Sequence, residues 1–311
     1  MLKFLMDKFI AGNTPEKALE TAKSLINEGF MVDLNILGEN EEYPESAFKK
    51  YYELINLMKE KEIYADISLK LSHFGVSKNL HLVKPAILHL AEELKSIGKK
   101  VTIDMEDADA DFFIYKIMSY LTKNEITNAG MALALNRKGI HKPFYNYGKF
   151  EENRNFITID CYNNSNHYLM QYPFCAIHRI CKGAKYKSQK KNLSIAKNET
   201  EIYAKYICFF KEFILKKTYA GFAVARDFNL IRKIQSIAGK NEIRKSAFEF
   251  QMLYGIRMDI AKWILKNGYK VKIYLPFLYN EPYKKAIPYF LRRCGFKIIR
   301  AIITEKIFPA I

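Results

Sequence analysis

A chain of 311 residues that is 49% apolar can bury a full-sized core, either as one large α/β barrel or as two smaller domains. The opening MLKFLMDKFIAG is too short and interrupted for a secretory leader, and no stretch approaches a membrane span; five cysteines without CxxC or Cys/His metal spacing point to a reducing cytoplasm and no metal site. The net charge of +17, from 50 basic against 33 acidic residues, would attract anionic partners, but it is spread as KK, KxK and KxxK groups with no nucleic-acid reader motif.

Thr14 and Pro15 are the predicted N-cap and first position of a helix that Gly29 closes, with Ala18, Ala22, Leu25 and Ile26 on one stripe. Phe30–Leu37 is the first predicted strand, and Glu45–Glu60 returns to helical spacing through Phe48, Tyr52, Ile55 and Met58. Strand Ala65–Leu71, helix Pro85–Leu94, strand Lys100–Met105, helix Asp111–Tyr120 and strand Gly130–Leu135 follow. A polar, aromatic excursion, Asn136–Pro173, contains one strand-like run, Phe156–Cys161, and no convincing helix. The alternation then resumes with strand Ala176–Cys181, helix Glu201–Lys216, strand Gly221–Ala225, helix Asn229–Ala238, strand Ala247–Leu253 and helix Met258–Lys266. The last strand, Val271–Leu275, runs into Pro276 and a polar loop, and a final helix starts near Pro282 and ends at Gly295.

Eight mostly apolar strands alternating with helices favour a single (β/α)8 barrel domain over residues 1–311, and the missing GxGxxG after the first strand counts against an open dinucleotide-binding sheet. In such a barrel, function gathers at the C-terminal ends of the strands. Those positions hold Lys70, Asp104, Arg179, Lys182, Glu249, Gln251 and Tyr274. Buried charge is costly unless paired, so Lys70 and Asp104 on neighbouring strands are expected partners. Each residue alone also fits an ion-pair network that closes the barrel mouth; as a set they suggest a polar pocket for a small carboxylate substrate. Arg292 and Arg293, with Tyr289 on a shared helical face, could grip that carboxylate, or form a solvated basic helix end. In the run Cys181-Lys182-Gly183-Ala184-Lys185, Gly183 permits close backbone approach to a ligand and the lysines would oppose a phosphate. Asp107 and Asp109 could cap the next helix.

The motifs ISLKLSHFG, VTIDMEDAD, HRICKGA, FEFQMLYGIR and IYLP with YFLRR resemble those of proline dehydrogenases in order and spacing, from about Lys8 to Arg293. The resemblance implies a distorted (β/α)8 barrel with a helical lead-in, its last helix lying over the mouth. It also implies FAD as cofactor, L-proline or a similar cyclic amino acid as substrate, and a quinone as electron acceptor, with peripheral contact at the inner face of the membrane. By the same resemblance Arg292 and Arg293 hold the substrate carboxylate. Lys70 and Asp104 lie beside substrate and flavin, and Tyr274, Tyr289 and Leu253 complete the substrate cage. Arg179 approaches the flavin N5 region, and Cys181, Lys182, Gly183, Ala184, Ala134, Ala225, Arg226 and Gln251 fall at cofactor positions.

Several positions depart from the family pattern: Ala134 stands where a flavin-bonding glutamine is usual, Lys185 for a tyrosine, Ala225-Arg226 for a Thr-His pair, and Phe296 for a ribose-binding glutamate. The alternatives are a catalytically degenerate barrel that acts as a binding protein, a flavoenzyme for a different cyclic amino acid, or an aldolase using Lys70 or Lys182 as its amine.

Overall fold

The structure is a computed structural model describing residues 6–38, 43–106, 110–136, 156–163, 166–173, 177–183, 199–215, 219–224 and 227–291, with the backbone alone for 156–163, 166–173, 177 and 215. Helix α1 (Pro15–Asn27) starts as its sequence dictates: Thr14 is extended, its side chain accepts from the Lys17 backbone N–H, and Pro15 sits in the first turn. Its stripe of Ala18, Leu19, Ala22 and Leu25 is buried, and Gly29, at φ +92°, turns the chain into strand β1 (Met31–Leu37). The remaining elements are α2 (Pro44–Glu60), β2 (Asp66–Leu69), α3 (Val76–Ser96), β3 (Val101–Ile103), α4 (Asp111–Lys123) and β4 (Ala129–Ala134). They continue with β5 (Phe156–Asn163), β6 (Asn166–Pro173), β7 (Ile177–Cys181), α5 (Glu199–Leu215), β8 (Ala220–Ala223), α6 (Phe228–Lys240), β9 (Glu249–Leu253), α7 (Met258–Lys266) and β10 (Lys270–Leu278).

Strands β1, β2, β3, β4, β7, β8, β9 and β10 pair in parallel and close into an eight-stranded barrel, with β10 returning to β1. This is the (β/α)8 architecture that the alternation predicted. The outward residues are apolar, among them Val32, Leu34, Ile67, Val101, Ile103, Met131, Phe222, Phe250, Val271 and Ile273, and they join the helix stripes in one continuous core. The inward residues are different. Asp33, Asn35, Ser68, Arg179, Glu249, Gln251 and Lys272 are all buried inside the barrel, where bulky branched side chains are usual. The expectation of mostly apolar strands therefore holds for one face only.

Three boundaries also differ from the sequence reading. Strand β10 does not end at Leu275 but runs through Pro276 to Leu278. Strand β9 stops opposite Tyr274, so beyond that point β10 keeps only β1 as a strand neighbour. The open side is taken by the N-terminal segment: Ala11 N–H donates to Pro276 O at 2.8 Å, and Leu278 N–H donates to Gly12 O at 3.1 Å. The N–H that proline lacks falls on this side, so the β1 ladder loses nothing. Helix α3 begins at Val76 rather than Pro85; a kink at Asn79 (φ −127°, ψ 28°) precedes the proline, which sits inside the helix. The excursion after β4 holds an antiparallel hairpin, β5 with β6, so Asn166–Pro173 is a strand that the sequence reading left out.

Past β10, a 3-10 turn (Tyr283–Ala286) leads into helical residues 287–291. Ala286, Tyr289 and Phe290 pack with Met6 and Ile10 on Leu37 and Leu278, the last residues of β1 and β10, so this segment lies at the barrel's C-terminal end as expected for the last helix. Of the cysteines expected to be reduced, Cys181 is a free thiol, whereas Cys208 is disulfide-bonded.

Candidate active site

The polar residues inside the barrel form two tiers, each a cation between two carboxylates. In the lower tier, Lys272 Nζ lies 2.8 Å from Asp66 Oδ2 and 2.8 Å from Glu249 Oε1. Burial would lower the lysine pKa, but Glu249 and Asp66 beside it hold it above its ordinary value. Tyr219 closes this tier from below, its hydroxyl donating to Glu249 Oε2 at 2.9 Å and its ring facing Lys100 and Lys270.

In the upper tier, Arg179 Nη1 donates to Asp104 Oδ1 at 2.5 Å, and Nη2 donates to Asp33 Oδ2 and, at 2.9 Å, to Ser68 Oγ. Ser68 Oγ in turn donates to Asp33 Oδ2 at 2.8 Å. Gln251 joins the tiers: its Oε1 accepts from Arg179 Nε at 2.6 Å, and its Nε2 donates to Glu249 Oε1 at 2.6 Å. Burial outweighs Asp33's half-share of the guanidinium and pushes its carboxyl up to about 6. Burial alone would lower the Arg179 pKa, but Asp33 and Asp104 raise it, so the guanidinium stays charged.

Above this tier, Asp104 Oδ2 accepts from the Tyr274 hydroxyl at 2.6 Å and from Asn35 Nδ2 at 3.2 Å. The Tyr274 ring carries the Arg179 guanidinium 4.9 Å from its centroid. Burial, then Asp104, raise the Tyr274 pKa well above its ordinary value, so the phenol stays protonated as a donor. Lys70 Nζ donates to Asn35 Oδ1 at 2.9 Å and to Ile36 O at 2.8 Å. Lys70 and Asp104, expected to pair, are thus linked through the amide of Asn35. Glu106 caps the turn after β2, accepting from Ser72 N–H at 2.8 Å and from the Ser72 hydroxyl.

On the far rim, β4, β7 and β8 end in small residues: Ala134, Gly183 just past β7, and Ala223. Ala134 N–H donates to Met105 Sδ at 3.3 Å, and Cys181 Sγ donates to Leu133 O at 3.3 Å. Gly183 has φ +94°, and a Cβ there would lie 1.8 Å from Asn136 Oδ1, so only glycine fits. Lys182 forms an ion pair with Asp227, the N-cap of α6. Leu253 ends β9 beside Tyr274, while Tyr289 packs in the cluster around Leu37 and Leu278. Ala184, Lys185, Ala225, Arg226, Arg292, Arg293, Phe296, Asp107 and Asp109 lie outside the described residues.

The sequence reading passed over Asp33, Asn35, Asp66, Ser68 and Lys272. Their signal is a polar residue at every second position of an apolar strand: V-D-L-N-I in β1, D-I-S-L-K through β2, and V-K-I-Y in β10.

Residues 151–295 match the family model described as Proline dehydrogenase. The chain is 27% identical over 305 residues to Proline dehydrogenase 1 of Bacillus subtilis (strain 168), covering 96% of this chain and 89% of that one. It is 28% identical over 292 residues to Proline dehydrogenase 2 of the same organism, covering 92% and 84%. Over most of its length the chain is thus similar to proline dehydrogenases. Among solved structures, the barrel matches proline utilization A from Bdellovibrio bacteriovorus inactivated by N-propargylglycine, at TM-score 0.73 and 18% identity over 93% of this chain. A second match is proline utilization A from Bradyrhizobium japonicum, at TM-score 0.67 and 17% identity. The chain spans 32% and 30% of those longer proteins, and the likeness is one of fold.

Proposed function

We propose that the chain oxidises L-proline, or a closely similar cyclic amino acid, to 1-pyrroline-5-carboxylate by hydride transfer to FAD, with a quinone taking the electrons onward. Similarity to proline dehydrogenases supports the reaction class, and the observation that carries the assignment to this site is the guanidinium of Arg179, held between Asp33 and Asp104. Ala134 and Ala223 put no bulky side chain at the ends of β4 and β8, a composition that fits the close approach of a planar ring system such as a flavin. FAD, when bound, supplies the hydride acceptor.

In this reading Arg179 provides fixed positive charge where negative charge accumulates, and Asp104 holds that charge in place together with the Tyr274 hydroxyl. Lys70 and Asn35 complete the polar wall, with Leu253 as its apolar neighbour. Gln251 acts through Arg179, and Cys181, Lys182 and Ala184 take the cofactor positions that the resemblance to proline dehydrogenases assigns them. Arg292, Arg293 and Tyr289 receive the substrate carboxylate, and Ala225 and Arg226 border the cofactor. The substrate amine must lose its proton before the neighbouring C–H bond breaks as hydride, so turnover rises with pH across that deprotonation. The chain would work as one barrel domain in the cytoplasm, meeting a quinone at the membrane surface; no helix among the described residues is long and apolar enough to cross a membrane.

The test is the visible spectrum of the purified protein incubated with FAD, followed by anaerobic L-proline. Bound flavin bleached by proline supports the reading. Bound flavin that stays oxidised overturns proline as the substrate, and a protein that takes up no flavin overturns the assignment.

A further inference from the structure

We propose that Asp33 is a positioning residue for Arg179, clamping the Nη2 end of the guanidinium so that one defined Nη1 hydrogen remains for a ligand at the barrel mouth. This rests on the function proposed above, in which Arg179 faces the reacting groups. An arginine has five N–H donors in a planar fork. Here Nε is taken by Gln251, one Nη1 hydrogen by Asp104, and the two Nη2 hydrogens by Asp33 and Ser68, which commits four of the five among the described residues.

Asp33 holds the corner of that arrangement that nothing else can hold. Ser68 cannot anchor Nη2 alone, because its own hydroxyl hydrogen is given to Asp33 Oδ2. Asp33 is 1% exposed, comes from β1 on the opposite side of the barrel from β7, and uses only Oδ2; its Oδ1 is buried without a hydrogen-bond partner. A carboxylate kept in this environment with half its acceptor capacity unused is costly, which marks it as retained for what Oδ2 does. The charged and titratable groups around it are Arg179 from β7, Lys272 from β10, Asp66 from β2 and Asp104 after β3.

The test compares Asp33→Ala and Asp33→Asn with the wild type by two readouts. In the protein without cofactor, nitrogen-15 guanidinium spectra assigned with Arg179→Lys follow the Nη hydrogens. Wild type and D33N should keep them distinct and slowly exchanging, and D33A should average them. In the FAD-loaded protein, D33A should lose roughly tenfold to a hundredfold in kcat with KM within about threefold, as a small misplacement of a catalytic group does. D33N, which keeps an oxygen acceptor, should recover most of that loss. Should D33A not fold, Asp33→Ser takes its place. Distinct Nη hydrogens in D33A, or D33N as impaired as D33A, would overturn the proposal. A wild type that fails to bind flavin or to turn over proline overturns the functional reading instead, and the guanidinium spectra alone then decide the role of Asp33.

Discussion

A Cβ atom placed on Gly221 would lie 2.1 Å from the side-chain nitrogen of Gln251. Gln251 cannot swing aside cheaply, because its carboxamide is tied to Arg179 at one end and Glu249 at the other. Gly221→Ala should therefore break the link between the two tiers and destabilise the fold by roughly 2–4 kcal/mol, read from the denaturant midpoint. Turnover should fall as well, since Arg179 loses its Nε partner.

Lys272→Met should cost more. It leaves Asp66 and Glu249 facing each other in the barrel without their shared cation, which is worth about 3–5 kcal/mol. Adding Glu249→Gln to Lys272→Met should recover part of the loss by removing one of the two unpaired carboxylates, which separates this cause from simple loss of packing.

Two buried groups should oppose each other in the pH dependence of stability. The folded pKa of Asp33, about 6, lies above its ordinary 3.8, so the folded state keeps a proton that the unfolded chain has released, and stability falls as pH rises through that window. His73 is pushed down to about 3, first by burial and then by Lys70. It stays neutral, with Nε2 donating to Gly38 O and Nδ1 accepting from the Tyr51 hydroxyl, each at 3.0 Å. The unfolded histidine protonates below its ordinary 6.5, so this group makes stability fall as pH drops. Each effect is of the order of 3–5 kcal/mol over its full window. Urea melts between about pH 4 and 6.5 should show stability rising more steeply with pH in Asp33→Asn, and falling with pH in His73→Gln. Glu106, also raised by burial, acts in the same direction as Asp33.

Asp227 should matter more than Lys182, although they pair. Asp227 Oδ1 also accepts the Leu230 N–H at 2.9 Å as the cap of α6, so Asp227→Ala should cost about 1 kcal/mol or more by thermal unfolding. The Lys182 side chain is 42% exposed, and Lys182→Ala should cost less than about 1 kcal/mol.

The barrel was legible in the sequence because its outward residues alone, such as Val32, Leu34, Ile67 and Ile273, are enough to mark each strand. Its interior was not, because Asp33 and Lys272 look like solvent-facing residues until the closure of the sheet shows that their side has no solvent. Prolines misled twice. Pro276 looked like a strand end because the N-terminal segment that completes its side of β10 lies more than two hundred residues away in sequence. Pro85 looked like a helix start because nothing local announces a kink at Asn79. Of the site, Arg179, Asp104, Tyr274 and Lys70 were found from their places at strand ends, whereas Asn35, which separates Lys70 from Asp104, was missed by treating an inward amide as strand filler.

The seam of the barrel joins the two extremes of the described chain. Strand β1 pairs with β10, Ala11 and Gly12 bond to Pro276 and Leu278, and Met6 and Ile10 pack with Tyr289 and Phe290. During synthesis, then, β1 waits with an open edge until β10, more than two hundred residues later, has emerged. Closure is therefore late, and a translation pause before β10 emerges leaves the β1 edge open to mispairing or capture by a chaperone.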